Sequence, residues 1–163
     1  MAVSNSPGQR TSDVNSESIL RPLRDGLGGS FRVTKFDTPA LPIHAFAFAI
    51  GRFRQKTKNS TQHTVTVYAR DSDIGMTQHA LDRSVEILDH INTYLNYSLK
   101  SAHPKIGIVP APNVGGYSTP GLIFLSEANL FYQDGKSPAE LEEKVTFELA
   151  YQLAKLVKNK KKK

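Results

Sequence analysis

The sequence contains no cysteine and no tryptophan, and only two methionines. Without cysteine there are no disulfides, no thiolate metal sites and no cysteine nucleophile. That fits the cytosol and leaves secretion open. No apolar run reaches the roughly 18 residues that a membrane span needs. Residues Met1 to Thr11 are polar and lack the apolar centre of a signal peptide. Nothing in the sequence assigns a compartment.

What is present describes a globular domain. The 163 residues are 39% hydrophobic and 22% charged, enough for one core and too apolar for a disordered chain. The net charge of +6 is uneven, because Lys155, Lys158 and Lys160 to Lys163 form a basic end. Such a block reads as a solvated tail. No aromatic residue interleaves with these lysines, so stacking on nucleic-acid bases is not expected. A salt-dependent attraction of the tail to phosphate is the functional alternative.

Periodicity divides the chain into a polar, loosely ordered leading segment (1–30), an α+β domain (31–157) and a lysine tail (158–163). In the leading segment only Ile19-Leu20 and Leu23 read as strand material. Phe31, Val33 and Lys35-Phe36 alternate as a strand does. Ile43 to Phe53 reads as a long strand with both faces covered, Phe46, Phe48 and Ile50 on one and alanines 45, 47 and 49 on the other. Lys56 to Thr61 reads as a polar turn. In His63 to Arg70, Val65, Val67 and Ala69 alternate with Thr64, Thr66 and Tyr68, a strand pattern of β-branched and aromatic residues.

From Ile74 to Leu95 the spacing becomes helical. Ala80, Ser84, Ile87, Leu88, Ile91 and Leu95 recur at steps of three and four, and Asp71 to Asp73 are placed to cap the start. Lys105 to Val109 and Leu122 to Leu125 are short strands. A last helix opens with Ser137, Pro138 and Glu140 in capping-box order. Leu141, Val145, Leu149, Gln152 and Leu156 mark one side of it. Strands followed by helices, with some alternation, predict an α+β fold with a mixed sheet and two main helices.

Several stretches, in order, resemble the aminopeptidase N-like zinc metallopeptidases. They are Ala2 to Pro7, Phe36-Asp37-Thr38-Pro39, Ala45 to Phe53, Val67-Tyr68-Ala69-Arg70, Ala80-Leu81-Asp82 with Ile87-Leu88, Pro104-Lys105 with Ile108-Val109-Pro110, and Gly121-Leu122-Ile123 with Glu127. Val145 to Leu156 takes the place of that family's zinc-binding helix. The resemblance implies the end of an N-terminal β-domain followed by the first half of a thermolysin-like (gluzincin) catalytic domain, as a fragment or a degenerate member.

In that family the zinc helix carries His-Glu-x-x-His. Residues four apart lie one turn above each other, so two imidazoles hold one Zn²⁺ while the Glu acts as general base. The matching positions here are Phe147-Glu148-Leu149-Ala150-Tyr151. Glu148 keeps the general-base position, but Phe147 has no lone pair to donate and Tyr151 is a phenol with an ordinary pKa of about 10. The family's third ligand is a Glu on the next helix, beyond the 12 residues that follow Tyr151 (163 − 151).

The family's Gly-x-Met-Glu-Asn stretch, whose Glu holds the substrate's α-amine, corresponds to Gly115-Gly116-Tyr117-Ser118-Thr119. Ser118 carries no charge to pair with an ammonium. The expectation is therefore no zinc, no catalytic residue and no exopeptidase activity. Phe147 and Tyr151 are expected to pack on each other and fill the space of a metal site.

His44, His63, His79, His90 and His103 contain no i, i+4 pair. His79 and His90 share a helix face but lie about 16 Å apart, too far for one ion. Gly26-Leu27-Gly28-Gly29 neither follows a strand nor opens a helix, so it is no phosphate loop.

The leading functional expectation is a catalytically silent domain that binds a peptide or protein through its cleft. A metallopeptidase completed by a partner or downstream segment is the alternative, and anion binding by the lysine tail is a third. The apolar side of the last helix, which in the family packs on further helices, is expected to be partly exposed and to favour self-association.

Overall fold

The computed structural model describes residues 2–4, 9–15, 30–36, 42–60, 62–95, 105–112 and 115–158. The chain divides into two units, one made of Met1–Asn5 with Pro42–Lys163 and the other of Ser6–Leu41. The smaller unit holds an antiparallel pair, β2 (Gln9–Asn15) with β3 (Ser30–Phe36), in register from Gln9 opposite Phe36 to Asn15 opposite Ser30. Strand β3 coincides with the alternating run Phe31 to Phe36. Its partner β2 is polar and gives no comparable signal. Ile19, Leu20 and Leu23 lie outside the described residues, as do residues 159–163 of the lysine tail.

The larger unit is α+β. Its main sheet has the order β5 (Arg54–Asn59), β6 (Thr64–Ala69), β7 (Lys105–Pro110), β9 (Leu122–Leu125) and β8 (Tyr117–Thr119). The β6–β7 and β7–β9 pairs are parallel, and the pairs at the two edges are antiparallel. Helix α1 (Gln78–Leu95) connects β6 to β7, as parallel neighbours require a crossover. Helix α2 (Ala139–Lys158) follows β9. A small antiparallel pair, β1 (Ala2–Ser4) with β4 (Phe48–Ile50), completes the unit.

Strand alternation assigns the two faces of the sheet. Val65 and Val67, Ile106 and Ile108, and Ile123 and Leu125 join Leu81, Val85 and Leu88 of α1 and Val145, Leu149, Leu153 and Leu156 of α2 in one buried core. On the opposite face Val109 and Leu122 meet Val3 and Ala47, flanked by Phe53, Tyr68 and Phe124. Burial pushes the Tyr68 phenol above its ordinary pKa. The β8–β9 turn has Pro120 followed by Gly121 at φ 82°, the glycine conformation a type II turn needs at its third position. Thr119 Oγ1 donates to the Leu122 carbonyl at 3.0 Å and closes it.

Four local expectations are corrected. Residues 54–59 form a strand rather than a polar turn: β5 pairs along its length with β6 and lies at the sheet edge. Edge strands keep charged, exposed side chains, so the alternation that marks an inner strand is missing. Two of its lysines instead reach α1, Lys58 to Asp82 at 2.6 Å and Lys56 to Gln78 at 3.2 Å. The Lys58 bond is the main reason Asp82 lies below the usual carboxylate range.

The run from Ile43 to Phe53 is not one long strand. A 3-10 turn occupies Ile43–Ala45 and only Phe48–Ile50 is extended. Phe46, Phe48 and Ile50 are exposed, while Ala47 is buried, because the close approach of β1 admits the small side chain and not the large one.

Neither helix is capped as expected. A 3-10 turn, Ile74–Thr77, precedes α1. Asp73 makes no side-chain capping bond, and Asp71 pairs with Arg54 at 3.0 Å. The Ser137 hydroxyl accepts from the Gln133 N–H at 3.0 Å, so it closes the preceding loop rather than a capping box.

The stripe Val145, Leu149, Gln152 and Leu156 is buried, not partly exposed, because the sheet and α1 cover it. Leu149 is fully enclosed. Leu149→Ala should lower the unfolding free energy by about 2–5 kcal/mol, measured by denaturant unfolding. A loss under about 1 kcal/mol would contradict this packing.

Candidate functional site

One residue singled out on the last helix, Glu148, meets the segment before β9 at one edge of the sheet. Edge strand β8 is preceded by Gly115 and Gly116, and this segment runs against α2. The sequence explains why the two fit so closely. With α2 anchored through Val145, Leu149 and Leu153, the next row of its surface, Glu148 and Gln152, turns towards β8. These two are four apart, and Gln152 Nε2 donates to Glu148 Oε1 at 2.7 Å. A methyl group on Gly116 would overlap that same Nε2 and Oε1 atoms. Gly116 therefore lets the strand backbone lie directly on a polar helix pair.

Glu148 is half-buried and hydrogen-bonded, and Gln152 is buried. The second amide atom, Gln152 Oε1, is buried without a hydrogen-bond partner. A buried acceptor in that state typically costs about 1–3 kcal/mol.

Phe147 and Tyr151 do not fill a closed space. They are 72% and 51% exposed, standing on the outward side of α2 while Leu149 between them points to the core. The reason is angular: at about 100° per residue, positions 147 and 151 share a face that excludes 149. Tyr151 packs with Lys155, whose Nζ lies 4.1 Å from the ring centroid, a cation–π geometry. On β8, Tyr117 is about half exposed, Ser118 is half-buried and Thr119 is buried in the turn. Gly115 is exposed and has no neighbour where a side chain would stand. Of the expected site residues, Gly116 meets Glu148 where β8 lies on α2, whereas Phe147 and Tyr151 stand on the outward side of the helix and Gly115 has open space beside it.

The histidines lie elsewhere. His63 is buried and accepts from Asn92 Nδ2 at 2.9 Å. His79 donates from Nε2 to Thr146 Oγ1 at 3.2 Å, because that hydroxyl gives its own proton to the Glu142 carbonyl. Its ring packs 4.8 Å from Tyr132. The Tyr132 phenol is raised by desolvation and then by the Glu142 carboxylate. His90 is exposed on α1. The His44 side chain and His103 lie outside the described residues.

Zinc is the metal implied by the resemblance, and the residues at the matching positions do not fit it. Phe147 offers no donor and Tyr151 holds a lysine against its ring. Among the described residues no three His, Asp or Glu side chains are grouped to hold a metal ion.

Sequence reasoning singled out Gly116 and Glu148 separately and missed the contact between Gly116 and the Glu148–Gln152 pair. Its one signal was a glutamine inside an otherwise apolar helix stripe. Gly116→Ala should destabilise the fold by about 1–3 kcal/mol, the usual cost of overpacking. The loss should shrink in a Gln152→Ala background, where the blocking amide is gone. Additive losses in that double-mutant cycle would disprove the contact.

No family model matches the chain. Among curated proteins, it is 28% identical over 132 residues to aminopeptidase Ey of Gallus gallus, covering 78% of this chain. It is 26% identical over 118 residues to endoplasmic reticulum aminopeptidase 1 of Mus musculus, covering 72% of this chain. In both comparisons the matched region is 13% of the relative's length. These partial matches support a relationship to the aminopeptidases and an aminopeptidase-like domain.

Proposed function

We propose that this chain is a catalytically silent aminopeptidase-like domain of the gluzincin type, whose groove binds peptide or protein segments without cutting them. The observation that carries the reading is the pair Phe147 and Tyr151. They flank Glu148 one helical turn apart, where the resemblance calls for two imidazoles. A zinc-bound water owes its reactivity to the ion, which lowers its pKa to about 7. With no ligand pair, Glu148 has no activated water to serve. Its carboxylate instead accepts a hydrogen bond from Gln152 and rests on the Gly116 backbone.

The second support is Ser118. An exopeptidase must recognise the free α-amine, and a carboxylate does so by charge pairing. Ser118 offers only a hydroxyl at the matching position. Two different parts of the chemistry, metal holding and amine anchoring, are replaced by side chains that can do neither. On this reading the binding groove runs along edge strand β8, which lies beside α2 and to which an extended segment could add.

The purified chain should release no amino acid from aminoacyl reporter substrates, with or without added zinc, and should carry no stoichiometric zinc. Chelator-sensitive release would overturn the reading and favour a metallopeptidase completed by other groups. A gain-of-site variant tests the geometry separately. Phe147 and Tyr151 are exposed, so Phe147→His with Tyr151→His should fold normally and present two imidazoles one turn apart. That variant should bind Zn²⁺ at least about tenfold more tightly than the unsubstituted chain, measured by competition with a metal indicator. Equal affinity would show that the two positions are not ligand positions.

A further inference from the structure

The outward face of α2 has a pattern that the peptide-binding reading does not use. Glu143, Phe147, Tyr151 and Lys155 are spaced by four and form one continuous ridge on the helix surface. The row starts with an exposed carboxylate, holds two exposed aromatic rings at its centre and ends with an ammonium. It is therefore self-complementary when reversed. Placed antiparallel on a second copy, Phe147 meets Tyr151 and Glu143 meets Lys155, because both pairs are centred on position 149. The 12 residues from Glu143 to Lys155 span about 18 Å, so the two charges flank the aromatic centre on either side.

We propose that this ridge is the contact surface of a two-fold symmetric homodimer, with α2 packed antiparallel on α2 of a second copy. The isologous geometry doubles each interaction. Two Glu143–Lys155 pairs frame one cluster of four aromatic rings. Interdigitation of rows spaced by four, each row lying in the groove beside the other, gives a crossing near −50°, the commonest class for helix pairs. Lys155 already lies over the Tyr151 ring of its own chain, so its ammonium stands at the rim of the cluster where the carboxylate of the other copy arrives.

Charge complementarity and aromatic exposure on one row select a second copy as the occupant. A generic apolar partner would leave both charges unanswered. The seat is one helix wide, which puts it at the small end of interface sizes, where association is weak and reversible. This dimer does not rest on the loss of catalysis. It would cover the outward face of α2 and leave the Glu148–Gln152 pair, which lies against Gly116, in place.

The test is sedimentation equilibrium of the 163-residue chain over a concentration series. The unsubstituted chain should show a reversible monomer–dimer equilibrium. Glu143→Lys places like charges opposite each other twice and should weaken dimerisation about tenfold. Lys155→Glu should do the same. The two changes together restore opposite charges and should return the dimer to within about threefold of the starting affinity. Phe147→Ser with Tyr151→Ser should abolish it while thermal unfolding stays close to that of the parent, since both rings are exposed.

A chain that stays monomeric at about 100 μM overturns the proposal, even if the same face takes up an added peptide. So does a dimer that the double charge exchange fails to restore. Neither result bears on the activity and zinc measurements above, so the two proposals fail separately.

Discussion

The packing of α2 across the sheet is the constraint on which the rest of the molecule depends. Val145, Leu149 and Leu153 enter the core shared by β6, β7, β9 and α1. Once they do, the rotation of the helix about its axis is fixed, and every other row has its place. Glu148 and Gln152 must face β8, and Phe147 and Tyr151 must face outward. A roll of the helix would draw the Glu148 carboxylate and the Gln152 amide away from the Gly116 backbone. The apolar core thus sets which side chains of α2 meet β8.

That constraint explains how a site can change its chemistry while keeping its framework. The core positions of α2 are aliphatic and serve only packing. The outward positions 147 and 151 carry no packing duty that the core needs, so imidazole and aromatic side chains are interchangeable there as far as folding is concerned. On the proposed reading, exchanging them removes the metal site without disturbing the sheet. Glu148 differs, because its carboxylate is tied to Gln152 and bears on Gly116. A structural duty is sufficient reason for a glutamate at that position, with or without an ion to assist.

The parts of the fold legible from the sequence are those whose own side chains carry the periodic signal. The Val65, Val67 and Ala69 alternation gave β6, and the spacing of Ala80, Ser84 and Leu88 gave α1, since both elements bury one face against the core. Strand β5 was not legible because its place in the sheet comes from backbone pairing with β6. Its lysines answer to solvent and to α1 rather than to a core. Around Phe46 and Phe48 the hydrophobic pattern pointed the wrong way. Burial there is decided by the approach of β1, which lies more than forty residues away in sequence and selects the alanine. The site divides along the same line. Helical spacing placed Phe147 and Tyr151 together, whereas the seat of Gly116 on Glu148 and Gln152 joins two elements and has no local pattern.

The same distinction governs what the outer face of α2 can do. A helix that kept histidines at 147 and 151 would spend that face on an ion and on the groups completing its coordination. With aromatic rings instead, the face is an exposed apolar surface bordered by opposite charges. Water does not favour such a surface, and burying two large rings on each of two copies removes it. The arrangement of charge then decides which partner fits. Glu143 and Lys155 lie at equal distances on either side of the aromatic centre, so the row matches itself only in the antiparallel sense. Parallel pairing of two copies would set glutamate against glutamate and lysine against lysine. On the proposed readings, the aromatic pair at 147 and 151 bears on both questions, yet the self-matching of the row follows from its charges and holds whether or not a metal site ever stood there.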